Sequence, residues 1–143
     1  EIHKDLEVRA AEAERHVVQD RTLYEDAEIF AQHLHAKGCI DDRDWRMYKE
    51  LYDTLRREIR PPALMIHLRR PVRVLTRRIQ RRGRSFEQAV PRAYLQALHE
   101  LYEAWFERYR ESEAIVIETD RVDYVEHMFD RQELLDRIAA HLR

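Results

Sequence analysis

Glycine is nearly absent. Only Gly38 and Gly83 occur in the 143 residues. A loop that wraps phosphates in backbone N–H groups needs several glycines close together. These residues therefore hold neither a Walker A loop nor a dinucleotide fingerprint. Cysteine occurs once, as Cys39, which excludes an internal disulfide framework and a cysteine zinc cluster. A single thiol suits a reducing compartment, and we expect a cytoplasmic protein. No apolar run approaches the roughly 20 residues of a membrane span, and no signal-peptide pattern opens the chain. The histidines show no metal spacing, since His33 and His35 lie two apart on different faces of a helix. Lysine is scarce as well: three of the 26 basic residues are lysines (Lys4, Lys37, Lys49), and 23 are arginines.

What is present is charge and an ordinary apolar share, 38% and 44% of residues. That composition and length suit one globular domain with its own core over residues 1–143. The net charge of −2 conceals an uneven distribution. Arg56 to Arg84 contains eleven arginines and one acid, Glu58. Eight of those arginines fall between Arg69 and Arg84, with no acid among them. Such a block repels itself and attracts phosphate, on a nucleotide or on a nucleic acid.

Periodicity and punctuation give the coarse elements. Residues 1–15 read as a polar helix. The run from His16 to Arg21 reads as a short buried strand. Thr22 caps the next helix, with Glu25 completing a capping box. That helix carries Ala27, Ile29, Phe30 and Leu34, and stops at Gly38. Asp41 or Asp42 caps another, with Tyr48, Leu51, Tyr52, Leu55 and Ile59 at helical spacing. Pro61-Pro62 ends it. Ala63 to Leu68 reads as a second strand. After Pro71 a helix carries Val72, Leu75 and Ile79, and Gly83 breaks it. A long helix runs from about Pro91 to Tyr109, with Leu95, Leu98, Leu101, Tyr102, Trp105 and Phe106 on one face. Ala114 to Glu118 is a third strand, and a last helix carries Leu134, Leu135, Ile138 and Leu142. Buried-type strands separated by helices predict a parallel α/β sheet. Functional residues then gather beyond the strands' carboxyl ends: Asp20-Arg21, Arg69-Arg70 and Thr119-Asp120.

Three constellations carry chemistry. Asp20-Arg21-Thr22 offers a carboxylate for Mg²⁺, directly or through water, beside an arginine that can bind phosphate. In Arg77 to Arg84, Arg78 and Arg82 are i,i+4 neighbours, and Gly83 turns the chain so that Arg84 comes back. Converging arginines beside a flexible residue suit a lid over a polyphosphate, offsetting charge as a phosphoryl group moves. Glu87 follows closely, where a carboxylate can accept from a sugar hydroxyl. His67 reads as a core or strand-end polar group. Tyr48, Tyr52, Tyr102, Trp105, Phe106 and Tyr109 read as core or subunit interface.

These residues resemble the deoxynucleoside kinase family. Asp20-Arg21-Thr22-Leu23-Tyr24-Glu25-Asp26 is similar to its (D/E)RS-x-Y-x-D segment. Arg78-x-x-x-Arg82-Gly83-Arg84-x-x-Glu87 is similar to its lid, here about residues 77–87. The strand after Pro62 and the helix bearing Tyr94, Leu95, Leu98, Leu101, Tyr102 and Trp105 match in order and spacing. The resemblance covers about residues 16–142. It implies a P-loop kinase-like α/β fold, a three-layer parallel sheet with helices on both faces. The family's amino-terminal strands, phosphate loop and general-base glutamate have no counterpart here. By that pattern the chain is a carboxy-terminal portion, and alone it is expected to be inactive.

The implied activity is phosphoryl transfer from ATP or another nucleoside triphosphate to the 5′-hydroxyl of a deoxyribonucleoside. Carried over by position, Asp20 stands by Mg²⁺, through water. Arg21 holds the catalytic base and the 5′-oxygen. Asp26 lies near the nucleobase. Arg78, Arg82 and Arg84 close on the donor phosphates, and Glu87 binds the 3′-hydroxyl. Asp123 and Tyr124 fall in the loop that cradles the donor's base. The family implies a homodimer, with no membrane and no nucleic acid as partner. A purine substrate is weakly favoured by Asp-Arg-Thr in place of Glu-Arg-Ser. The alternatives are a thymidylate-kinase-like nucleoside monophosphate kinase and a non-catalytic, arginine-rich nucleic-acid-binding domain. Tyr24, Asp26 and Glu87 favour the nucleoside kinase over the first. The absence of any aromatic between Arg69 and Arg84 counts against the second.

Overall fold

The computed structural model describes residues 17–120, 124 and 127–142, and the helix predicted over 1–15 lies outside them. The chain divides into two compact units, Glu1–Arg60 and Pro61–Arg143, each described by itself.

In the first unit Thr22 starts a helix in the predicted way. Its Oγ1 accepts from the Tyr24 N–H at 3.2 Å, while Glu25 Oε2 takes the Thr22 N–H at 2.5 Å. The helix, α1, has three consecutive stretches: Leu23–Glu25 (α), Asp26–Ala31 (π) and Gln32–Ala36 (α). A π turn holds more residues than an α turn, so residues beyond it shift in phase. That shift puts His33 inside and leaves Leu34, expected on the core stripe, 44% exposed. Gly38 has φ +72° and closes the helix where an L side chain is strained. Asp41 then caps α2, Asp42–Glu58, its carboxylate accepting from the Asp44 N–H at 2.9 Å. Tyr52 of α2 is buried with Tyr24, Ala27, Ile29 and Ala31 of α1. Met47, Leu51 and Leu55, spaced i, i+4, i+8, stay exposed.

One expected element does not form. Residues 17–21 are not a strand, and Val17 and Val18 are exposed, Val18 at 97%. β-branched composition suits a strand, but a strand exists only where a neighbour completes its ladder. No strand of its own unit does so among the described residues.

The second unit holds the sheet. Strands β1 (Leu64–Arg69) and β2 (Glu113–Glu118) pair in parallel, Leu64 opposite Glu113 through Arg69 opposite Glu118. Two parallel strands are thus present among the described residues, where three were expected. Between them run α3 (Val72–Arg82) and α4 (Arg92–Arg108); α5 (Met128–His141) follows β2. Prolines open two of these helices. The Pro71 carbonyl accepts from Val74 and Leu75, and the Pro91 carbonyl from Tyr94 and Leu95. α4 packs on β1 through an aromatic cluster. His67 stacks on Tyr102 at 5.8 Å and meets Phe106 at 5.0 Å, with Trp105 and Tyr109 buried beside them. By strand alternation Glu113 points to the face opposite His67. There it meets His141 of α5, so helices serve both faces of a parallel α/β sheet. Ile117, 2% exposed, fills that second face, and burying such a side chain stabilises by roughly 1.5–3 kcal/mol.

Candidate functional site

The turn before α1 is strained at one residue. Arg21 has φ +65°, the one non-glycine residue with positive φ among those described. Holding an L residue there costs about 1–3 kcal/mol, and such outliers cluster at functional sites. The Thr22–Glu25 capping box fixes the chain after it. The Arg21 guanidinium lies over the Phe30 ring, 4.7 Å from its centroid, so the π stretch helps aim it. Asp20 beside it is exposed, with no hydrogen-bond partner among the described residues.

Asp26, the first residue of the π stretch, is exposed. Its charge acts on Tyr48 of α2, whose hydroxyl is held above its ordinary value by burial first and by Asp26 second. Deeper in, burial and the hydrogen-bonded Glu28 carboxylate push the Tyr52 hydroxyl strongly up. Lys49 spans Glu28 at 4.0 Å and the Tyr52 ring at 5.0 Å. The aromatics of α2 thus form part of a polar network as well as a core, which spacing alone does not reveal.

In the second unit the arginine block reverses direction at Gly83, φ +69°, whose N–H reaches the Ile79 carbonyl. The short 3₁₀ turn Ser85–Glu87 follows. Gln88 Nε2 then returns to the Ile79 carbonyl at 3.3 Å and closes the loop. The result brings Glu87 against two arginines. Its Oε1 accepts from Arg82 Nη1 at 3.1 Å and from Arg84 Nη1 at 3.3 Å. Both arginines are about half exposed, at 50% and 56%, while the Glu87 side chain is 16% exposed. Its other oxygen, Oε2, is buried without a hydrogen-bond partner among the described residues. Arg82, Arg84 and Glu87 therefore meet as one cluster. Arg78, one turn back and exposed, is not in it.

The carboxyl ends of the strands are locked together. Arg70 Nε donates to Thr119 Oγ1 at 2.9 Å, and its Nη2 to the Thr119 carbonyl. Thr119 Oγ1 in turn donates to the Arg69 carbonyl at 3.0 Å. Arg69 grips Glu103 of α4 with a two-pronged fork, Nε to Oε1 at 2.9 Å and Nη2 to Oε2 at 2.7 Å. It also reaches Glu118 at 3.0 Å. His67, a strand polar group with its side chain 12% exposed, meets the same Glu103 at 3.1 Å. Burial pushes the Glu103 carboxyl up, but the bonds from His67 and Arg69 and their charges outweigh it. The net position is below the ordinary carboxylate value. The sequence pointed to these strand ends but not to Glu103, whose partners lie more than thirty residues away.

Tyr124 is half-buried, its carbonyl accepting from Arg131 Nε at 3.0 Å. Burial raises its hydroxyl, against the lowering charges of Arg137 and Arg70. Asp123 lies outside the described residues. Among the described residues no three metal-ligating side chains cluster, and no helix is long and apolar enough to cross a membrane.

Comparison with known proteins bears on this arrangement. The chain is 30% identical over 150 residues to the deoxyadenosine kinase of Lactobacillus acidophilus, covering 99% of this chain and 69% of that protein. It is 30% identical over 145 residues to the deoxyguanosine kinase of Lactobacillus johnsonii, covering 95% of this chain and 64% of that one. An 85-residue stretch is 42% identical to the deoxyadenosine kinase of Dictyostelium discoideum, spanning 59% of this chain and 34% of that protein. The sequence profile of the family described as deoxynucleoside kinase matches residues 2–143. Nearly the whole chain answers to that profile, so it belongs to the deoxynucleoside kinase family.

Proposed function

We propose that the protein carrying these residues transfers the terminal phosphoryl group of ATP, or another nucleoside triphosphate, to the 5′-hydroxyl of a deoxyribonucleoside. The oxygen of that hydroxyl bonds to the γ-phosphorus, and the bond from phosphorus to the bridging oxygen breaks. A nucleoside diphosphate leaves, and the hydroxyl proton passes to a base. The observation that carries this reading is the half-exposed pair Arg82 and Arg84, gathered on Glu87 behind a left-handed glycine. Preorganised guanidinium groups stabilise charge on a moving phosphoryl group at little reorganisation cost.

In this reading Arg78, Arg82 and Arg84 close on the donor phosphates. Arg21, held in its strained turn, orients the base and the 5′-oxygen. Asp26 faces the nucleobase, and Glu87 accepts the 3′-hydroxyl. Tyr124, with Asp123, borders the donor's base. Mg²⁺ typically binds through one or two carboxylates plus substrate phosphates and water. The exposed, unpartnered Asp20 carboxylate fits that donor set, and the ion it would hold neutralises phosphate charge. The exposed row Met47, Leu51 and Leu55 on α2 suits a second copy of the chain as partner. The test is a panel of deoxynucleosides with ATP and Mg²⁺, assayed on the protein that carries these residues. Formation of a deoxynucleoside 5′-monophosphate is expected. Phosphorylation of monophosphates alone would replace this reading with a nucleoside monophosphate kinase.

A further inference from the structure

The two oxygens of Glu87 have different fates, and that difference has a use. Oε1 carries both arginines, while Oε2 is buried and accepts nothing from the described residues. Leaving a buried acceptor unmade costs about 1–3 kcal/mol, more for a charged group. A ligand hydroxyl donating to Oε2 recovers that cost, and recovers it best while the carboxylate stays where the arginines hold it.

The arginines, for their part, are only partly used. A guanidinium carries five N–H donors in a fixed fork. Among the described residues, Arg82 and Arg84 engage only Nη1, with Glu87. Nε and Nη2 of both remain for an anion. The two guanidinium groups carry like charge and share one acceptor atom, so their mutual placement depends on that carboxylate.

The geometry points to Glu87 as a coupling residue that links the acceptor nucleoside to the donor polyphosphate. The chain of contacts runs from sugar hydroxyl to Oε2, through the carboxylate to Oε1, then through Arg82 and Arg84 to phosphate oxygens. A hydroxyl on Oε2 fixes the carboxylate, the fixed carboxylate fixes both forks, and a polyphosphate then finds them ordered. Binding at either end strengthens binding at the other, because such coupling is reciprocal. Glu87 is then a positioning residue for the arginines besides its proposed contact with the sugar. This rests on the phosphotransfer reading above.

The experiment measures inorganic tripolyphosphate binding by calorimetry, on the protein that carries these residues. It is run alone, with a saturating deoxynucleoside, and with the matching 2′,3′-dideoxynucleoside. The deoxynucleoside is expected to tighten tripolyphosphate binding about tenfold, and the dideoxynucleoside to leave it unchanged. In Glu87→Gln, measured at nucleoside concentrations that still saturate the variant, the tightening is expected to disappear. Equal tightening by both nucleosides, no tightening at all, or full tightening in Glu87→Gln overturns the coupling while the phosphotransfer reading stands. Failure of every deoxynucleoside to bind overturns both. If Glu87→Gln does not fold, as judged by its thermal melt, the two nucleosides on the unaltered protein decide the matter alone.

Discussion

Arg69 and Arg70 belong to the same basic block as Arg82 and Arg84, yet they live differently. The first pair ends β1 and is consumed by the protein: Glu103, Glu118 and Thr119 take its donors. The second pair sits beyond α3, half exposed, and shares one carboxylate oxygen. Residue type is the same and the local charge is similar. What differs is how many of the five guanidinium donors find protein acceptors. A satisfied fork fastens secondary structure, and an unsatisfied one is available to a ligand.

Substitution to alanine should separate the two kinds. Arg82→Ala should lower phosphotransfer turnover by about 10²–10³, the range for loss of one charge-stabilising donor. Its thermal stability should hardly move, because an exposed ion pair contributes about 0–1 kcal/mol. Arg70→Ala should behave in the opposite way. It removes charge-assisted bonds that tie the end of β1 to Thr119, worth about 2 kcal/mol. Chemical denaturation and steady-state kinetics on both variants check this. If Arg82→Ala unfolds readily while retaining turnover, the contrast between the pairs collapses.

A pH series sharpens the structural half. The Glu103 carboxyl titrates below its ordinary value of 4.5. A carboxylate with a lowered folded-state pKa contributes stability that is full above the unfolded value. That contribution is lost as pH falls through the folded value. Glu103→Gln should therefore be less stable than the unaltered protein near pH 7, by about 1–2 kcal/mol. The gap should narrow as pH drops below about 4.5, where the native carboxylate also loses its charge. Denaturant midpoints measured from pH 7 to pH 3 decide it. A gap independent of pH would mean that Glu103 acts by packing and not by charge.

Legibility in the sequence followed the range of the interactions. Proline and glycine punctuate locally, so β1, α3 and α4 lie within a residue or two of where Pro61-Pro62, Pro71, Gly83 and Pro91 put them, and β2 lies where its apolar run Ala114 to Glu118 puts it. The capping box at Thr22 is equally local. The return of Arg84 beside Arg82 follows from one glycine turn and was readable for the same reason, but Arg78 stays apart from them, and the pairing of both arginines with Glu87 had no signal of its own. The run 17–21 was not readable, because strand formation depends on a neighbour that composition does not reveal. Neither was the π stretch of α1, since no residue pattern in Asp26–Ala31 distinguishes it from an α turn, and Leu34 was misplaced with it. Glu103 joins His67 and Arg69 across more than thirty residues, a tertiary pairing beyond any local signal.

The smallest effect concerns Arg21, where the backbone and the guanidinium can be tested apart. Arg21→Ala and Arg21→Gly both remove the contact over Phe30, so that loss cancels between them. At most positions alanine is the more stable choice, because glycine loses more chain entropy on folding. At φ +65° the order should invert, since alanine keeps the strain and glycine does not. The glycine variant should be more stable than the alanine variant by about 1 kcal/mol. Both should lose turnover alike, because neither presents the fork. Equal stabilities, or a more stable alanine variant, would remove backbone strain from the account of this turn. A turnover difference between the two would show that the strained backbone, and not the side chain alone, shapes the site.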